Sequence, residues 1–157
     1  MCKNIYFKNL KYIIEEETDD YFIGVQQNLL KKTEMKLISF KNLMVLDYDN
    51  TTLDNIENIL CNYPYTFLVY KTYSGYHVYN ISEEFPRSNS TLQLMHDMKC
   101  DYYYINFCKY TGFTVRLDKK KDRKEEYIEK YVKQINNYLI NDKLKELVKY
   151  KDNLTCI

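Results

Sequence analysis

Asp47 and Asp49 end the apolar run Leu43-Met-Val-Leu-Asp-Tyr-Asp49 with one residue between them. Side chains alternate faces along a strand, so both carboxylates would leave the same face close to one another. Two like charges held that close are costly unless a cation sits between them. Carboxylate oxygens in that arrangement suit a hard divalent metal. Further on, Lys71-Thr-Tyr-Ser74-Gly75-Tyr-His77-Val-Tyr79 holds a Ser-Gly turn with a histidine just beyond it. Asp101 and the segment Phe113-Thr-Val-Arg116-Leu-Asp118-Lys119 follow. Together the carboxylates could hold a hard divalent cation. The plainer alternative is a strand ending in polar turn residues, with Asp49-Asn50 capping the next helix. For His77 it is a satisfied sheet residue, and for Arg116 a partner to a structural carboxylate.

Residues 43–48 form a buried strand, and Thr51 or Thr52 offers an N-cap hydroxyl to a helix with Leu53, Ile56, Ile59 and Leu60 on one face. Pro64 closes that helix, and residues 66–72 and 77–81 make a β-hairpin about Ser74-Gly75. The cluster Ser88-Asn-Ser-Thr91 caps a helix to Met98, with His96 a packing or surface residue within it. Residues 101–107 read as a strand, Thr111-Gly112 as a turn, residues 113–117 as another strand, and residues 124–150 as one long amphipathic helix or two. In that helix Tyr127, Ile128, Tyr131, Val132, Ile135, Leu139 and Ile140 mark the buried stripe.

The expected architecture is therefore α+β, an RRM or ferredoxin-like βαββαβ palm-type sheet over residues 42–121. A small α/β flank precedes it over residues 1–41, with a helix from Val25 to Met35, and a helical segment follows over residues 122–157. In such a sheet the first and third strands are antiparallel neighbours, which puts His77 beside Asp47 and Asp49. A fourth strand on the other side of the first would bring Asp101 to the same spot. Asp118, on the face of Thr114 and Arg116, competes with Asp101 as the third acid.

At 157 residues the chain is expected to be a single domain. With 23 basic and 22 acidic residues, total charge indicates no polyanion partner, so a nucleic-acid surface would depend on local runs such as 119–124. Five cysteines without paired spacing, and two histidines, argue against a structural zinc site and for a reduced protein. No apolar run approaches the roughly 20 residues of a membrane span, and no secretory pattern opens the chain. The expected location is intracellular, cytoplasmic or nuclear, or a viral replication compartment. Three glycines give no phosphate-binding loop, and no serine or cysteine hydrolase triad stands out.

Asp47-Tyr-Asp49, Ser74-Gly-Tyr-His77, and Asp101 followed by the segment 113–119 resemble, in order, the three motifs of the archaeo-eukaryotic primase superfamily. The likeness covers residues 40–121. It departs at Gly75-Tyr76, where the family usually carries an arginine, and in the short region before the first motif. The resemblance implies a metal-dependent nucleotidyltransferase of primase or polymerase type, acting in DNA replication or repair of a virus or mobile element. It implies Asp47, Asp49 and Asp101 as catalytic ligands of Mg²⁺ or Mn²⁺. Ser74, His77, Arg116 and Lys119 would then be nucleotide or template contacts. Its implied partners are nucleotides, single-stranded or primed nucleic acid, and a helicase or replication protein. The competing reading is a catalytically inactive relative that binds nucleic acid as an accessory, using Tyr79, Tyr103 and Arg116 on an open sheet to hold single strands.

Overall fold

A computed structural model describes residues 3–118 and 128–155 of the chain. It is α+β, with two antiparallel sheets and four helices among the described residues. The first four strands form an up-and-down meander: β1 (Lys3–Phe7), β2 (Leu10–Glu17), β3 (Tyr21–Asn28) and β4 (Thr33–Phe40). Next come β5 (Val45–Asp49), α1 (Leu53–Leu60), β6 (Phe67–Lys71), β7 (Gly75–Asn80) and α2 (Asn89–Asp97). The chain continues with α3 (Tyr102–Thr111), β8 (Phe113–Arg116), β9 (Lys130–Ile135) and α4 (Asp142–Thr155). Strand order is β1-β2-β3-β4-β8 in the larger sheet and β5-β7-β6-β9 in the smaller.

The middle of the chain forms where its local signals place it. Thr52 Oγ1 accepts from the Asn55 amide at 3.2 Å and starts α1, Asp54 lies in the first turn, and Ile56 and Leu60 are buried one turn apart. Ser88 caps α2 in the same way. The register Asp47↔His77 and Val45↔Tyr79 makes β5 and β7 neighbours, as the sequence predicts.

Four expectations are corrected. Val25 to Met35 is not helical: Asn28 Oδ1 accepts from the amides of Leu30 and Lys31, which turns the chain between β3 and β4. Leu29 and Leu30 are exposed turn residues there, not a buried stripe. Among its described residues the regular elements of the N-terminal flank are all strands.

Residues 101–107 are not a strand. The run Tyr-Tyr-Tyr-Ile has strong β-propensity, but burial of Ile105, Cys108 and Thr111 follows a helical period, and Asp101 caps the helix by accepting from the Tyr104 amide at 3.1 Å.

The smaller sheet therefore lacks the ferredoxin-like fourth strand beside β5. Its fourth strand is β9, paired with β6 at the far edge, while residues 113–117 contribute β8 to the other sheet. Nor is the segment 124–150 one helix or two throughout. Where it is described, it is strand, a break at Asn136 with φ 66°, and then α4; Tyr131, Val132 and Leu139 are exposed and Ile135 is buried.

One apolar cluster joins both sheets and the helices: Ile38, Phe40 and Phe113 from the first sheet, Leu46, Val69 and Val78 from the second, and Ile56, Met95, Ile105 and Val148 from the helices. A smaller cluster of Tyr12, Ile14, Phe22 and Leu37 lies on the meander, where Phe107 of α3 packs edge-on to Tyr12 and Phe7. Cys61, Cys100 and Cys108 are free thiols. Among the described residues no helix is long and apolar enough to cross a membrane.

Candidate metal centre

Asp47, Asp49 and Asp101 each offer a carboxylate oxygen within 4.8 Å of the others. The first two leave one face of β5 because of the strand's two-residue period. Asp101 arrives by a different route. The loop between α2 and α3 lies along the open edge of β5: the Asp101 amide donates to the Asp47 carbonyl at 2.8 Å, and the Asp47 amide donates to Cys100 Sγ at 3.3 Å. The Tyr48 hydroxyl ties down the same loop through the Met98 carbonyl at 2.7 Å. The third acid thus stands at the N-terminus of α3, where a helix favours negative charge. Burial, reinforced by the charges of Asp49 and Asp101 and opposed by His77, pushes the Asp47 carboxyl up to about 6.

His77 faces Asp47 across the β5–β7 pair, with Nε2 3.5 Å from Oδ1. Its other ring nitrogen, Nδ1, lies 2.7 Å from Oε2 of Glu129, a fully buried carboxylate. The Tyr79 hydroxyl donates to Glu129 Oε1 at 2.6 Å, and Lys151 of α4, also fully buried, donates to the same oxygen. Lys151 reaches Asp152 at 2.6 Å and stands 3.8 Å from the centroid of the Tyr70 ring. Burial would raise the Glu129 carboxyl, but Lys151 and then His77 outweigh it and hold it down at about 2. Burial would likewise lower the His77 imidazolium, yet Glu129 and then Asp47 leave it raised.

Of the other residues singled out in the sequence, Ser74 joins the group: its hydroxyl donates to Asp49 Oδ1 at 3.1 Å. Arg116 lies on β8 in the larger sheet, where its Nε is 3.1 Å from Asp118 Oδ1. Asp118 also accepts from the Lys36 amide at 3.1 Å, and it is outside the carboxylate cluster. Lys119 and the basic run to residue 124 lie outside the described residues. Tyr79 is buried, and Tyr70 bonds Asp152 of α4 at 2.6 Å, so the sheet face expected to be open to single strands is covered by α4. Glu129 and Lys151 went unnoticed in the sequence. The usable signal was helical spacing, since Leu144, Val148 and Lys151 fall on the buried stripe of α4.

Gly75, directly opposite Asp49, is required by a close approach. A Cβ there would lie 1.9 Å from the Tyr48 carbonyl oxygen and 3.0 Å from Asp49 Cα, backbone that moves only if β5 and β7 separate. Gly75→Ala should cost about 1–3 kcal/mol. It should also weaken Mn²⁺ binding, because Asp49 shifts with the strand. Melting curves with and without Mn²⁺ check both effects; a variant melting like wild type would refute the packing argument.

Comparison with family models, curated proteins and solved structures finds no match to this chain.

Proposed function

We propose that the chain is a divalent-metal-dependent nucleotidyltransferase of primase or polymerase type, acting on nucleotides and primed or single-stranded nucleic acid in DNA replication or repair. The observation that carries this reading is the meeting of three carboxylates from β5 and the start of α3 within 4.8 Å. The donor set fits Mg²⁺ or Mn²⁺, since all three ligands are hard oxygens and a cation would relieve the cost of ionising Asp47. Held by these carboxylates, such ions would supply charge neutralisation to an attacking hydroxyl and a leaving pyrophosphate. The protein's share is positioning. Asp47, Asp49 and Asp101 would hold the cations, Ser74 fixes the Asp49 carboxylate, and His77 stands beside them to meet phosphate.

The test is extension of a primed template by the purified protein with Mn²⁺ or Mg²⁺, beside an Asp47→Ala/Asp49→Ala variant. Extension by the wild type that the variant loses supports the reading. Equal extension by both, or none by either under any metal, refutes it.

A second reading, a catalytically inactive nucleic-acid-binding accessory, is favoured by Tyr102 and Tyr103. These two tyrosines follow Asp101 and are 62% and 80% exposed, where they could stack on bases. It predicts strand binding that survives chelation.

Metal binding should also depend on pH. A proton on Asp47 competes with the cation, so the apparent affinity for Mn²⁺ should be level above pH 7. Below about 6 it should fall by about tenfold per pH unit. Thermal shifts at graded Mn²⁺ from pH 5 to 8 measure this, and an affinity flat across that range would contradict it.

A further inference from the structure

The charges behind His77 hold no cation in the reading above, and they are expensive. Glu129 and Lys151 are both fully buried, and taking each ion out of water costs several kcal/mol. Apolar side chains of similar size would pack the same space. What the pair does is decide how His77 stands. One oxygen of Glu129 is taken by Lys151 and the Tyr79 hydroxyl, and the other lies 2.7 Å from His77 Nδ1. An ionised carboxylate only accepts, so the hydrogen in that contact belongs to Nδ1. Nε2 is left as the nitrogen turned toward Asp47, and in the imidazolium it carries a hydrogen of its own to donate.

We propose that Glu129, clamped by Lys151, is a positioning residue that fixes His77 in the one orientation presenting Nε2 to the phosphates of a nucleotide at the Asp47–Asp49–Asp101 centre. The ligand class rests on the nucleotidyltransferase reading; the orientation does not. Through Lys151 the C-terminal helix becomes part of the site, although it supplies no group to the carboxylate cluster.

Two histidines in the chain make the test tractable. Long-range ¹H–¹⁵N spectra of ¹⁵N-histidine-labelled protein, with His96→Gln to assign the signals, report which nitrogen carries the hydrogen. Three proteins are compared: wild type, Glu129→Gln, whose carbonyl oxygen still accepts, and Glu129→Leu/Lys151→Met. The double variant replaces the ion pair by apolar volume, an exchange that is often neutral for stability. Wild type and Glu129→Gln should carry the hydrogen on Nδ1, and the double variant should lose that preference. Titration with Mn²⁺ alone should give similar affinities for all three, because the carboxylates are untouched. Titration with ATP and Mn²⁺ should be about tenfold weaker for the double variant alone, the worth of one charge-assisted hydrogen bond.

A wild-type Nδ1 without hydrogen would overturn the proposal. So would a double variant that keeps both the ring form and the nucleotide affinity, which would mark the pair as a mere staple for α4. If wild type binds Mn²⁺ but no nucleotide, the nucleotidyltransferase reading and the ligand named here fail together, and the ring form still decides the positioning. The wild-type ring form needs no change at Glu129 or Lys151, so it stands as a test even if the double variant does not fold.

Discussion

Asp47→Asn should raise the melting temperature of the metal-free protein and abolish its response to Mn²⁺. Burial, then the charges of Asp49 and Asp101, lift the Asp47 carboxyl from its ordinary 3.8 to about 6 against the pull of His77. An acid whose folded value is raised contributes stability that is fully present below pH 3.8 and lost as pH rises through about 6. At pH 7.5 the native chain bears the whole penalty, on the order of 2–3 kcal/mol for a shift of roughly two units. Asparagine has nearly the same shape and never ionises, so it removes that penalty. The gain should amount to several degrees at pH 7.5 and vanish near pH 4. The same substitution deletes a ligand, so Mn²⁺ should no longer raise the melting temperature, and extension should fall by on the order of 10²–10³-fold or more. Opposite signs for stability and activity set a functional carboxylate apart from a structural one. Thermal melts of both proteins at pH 4 and 7.5, with and without Mn²⁺, decide the matter. A variant less stable than wild type at pH 7.5 would mean that Asp47 is held by its contact with His77 and is not strained by its neighbours.

The part of the chain that could be read in advance is the part whose local signals are self-sufficient. From Val45 to Asp97 the two helices carry their own caps and the hairpin of β6 and β7 its own turn, and β7 pairs with β5 so that His77 faces Asp47. Elsewhere, tertiary context overrode propensity. Tyr102 to Ile105 carries side chains that favour strands, yet the N-cap at Asp101 and the buried positions Ile105, Cys108 and Thr111 make it a helix. Asp101 reaches the centre as a cap docked on the edge of β5, a route that strand order could not foretell.

Glu129 was hidden for a different reason. It closes a stretch dense in Lys, Arg and Glu, where a carboxylate normally stays in water. Only the long-range contacts to His77, Tyr79 and Lys151, across 52, 50 and 22 residues, mark it as buried. Arg116 shows the converse. It sits in the right place in the order of motifs, but β8 joins the larger sheet and Asp118 takes its guanidinium.

Lys151→Met should be the most destabilising single change behind the site. Glu129 would then keep, among the described residues, only His77 and the Tyr79 hydroxyl, and removing one partner of a buried ion pair costs about 3–5 kcal/mol. In a domain of this size that is a drop of roughly 6–20 °C. The pH dependence carries the diagnosis. In the native chain Lys151, then His77, overcome the cost of burial and hold Glu129 at about 2, below its ordinary 4.5. A carboxylate depressed on folding contributes stability that is present above pH 4.5 and lost as pH falls toward 2. Without Lys151 that contribution shrinks, since a buried carboxylate that has lost its ammonium partner accepts a proton more readily. The gap between wild type and variant should therefore be widest near neutral pH and narrow between pH 4.5 and 3. Urea unfolding from pH 3 to 8 measures both curves. A gap that stays constant with pH would assign the loss to the packing of the ammonium over the Tyr70 and Tyr79 rings, because that contact does not titrate across this range. Adding Glu129→Leu to the same chain separates the two causes again: it should restore most of the lost stability if charge is responsible, and none of it if packing is.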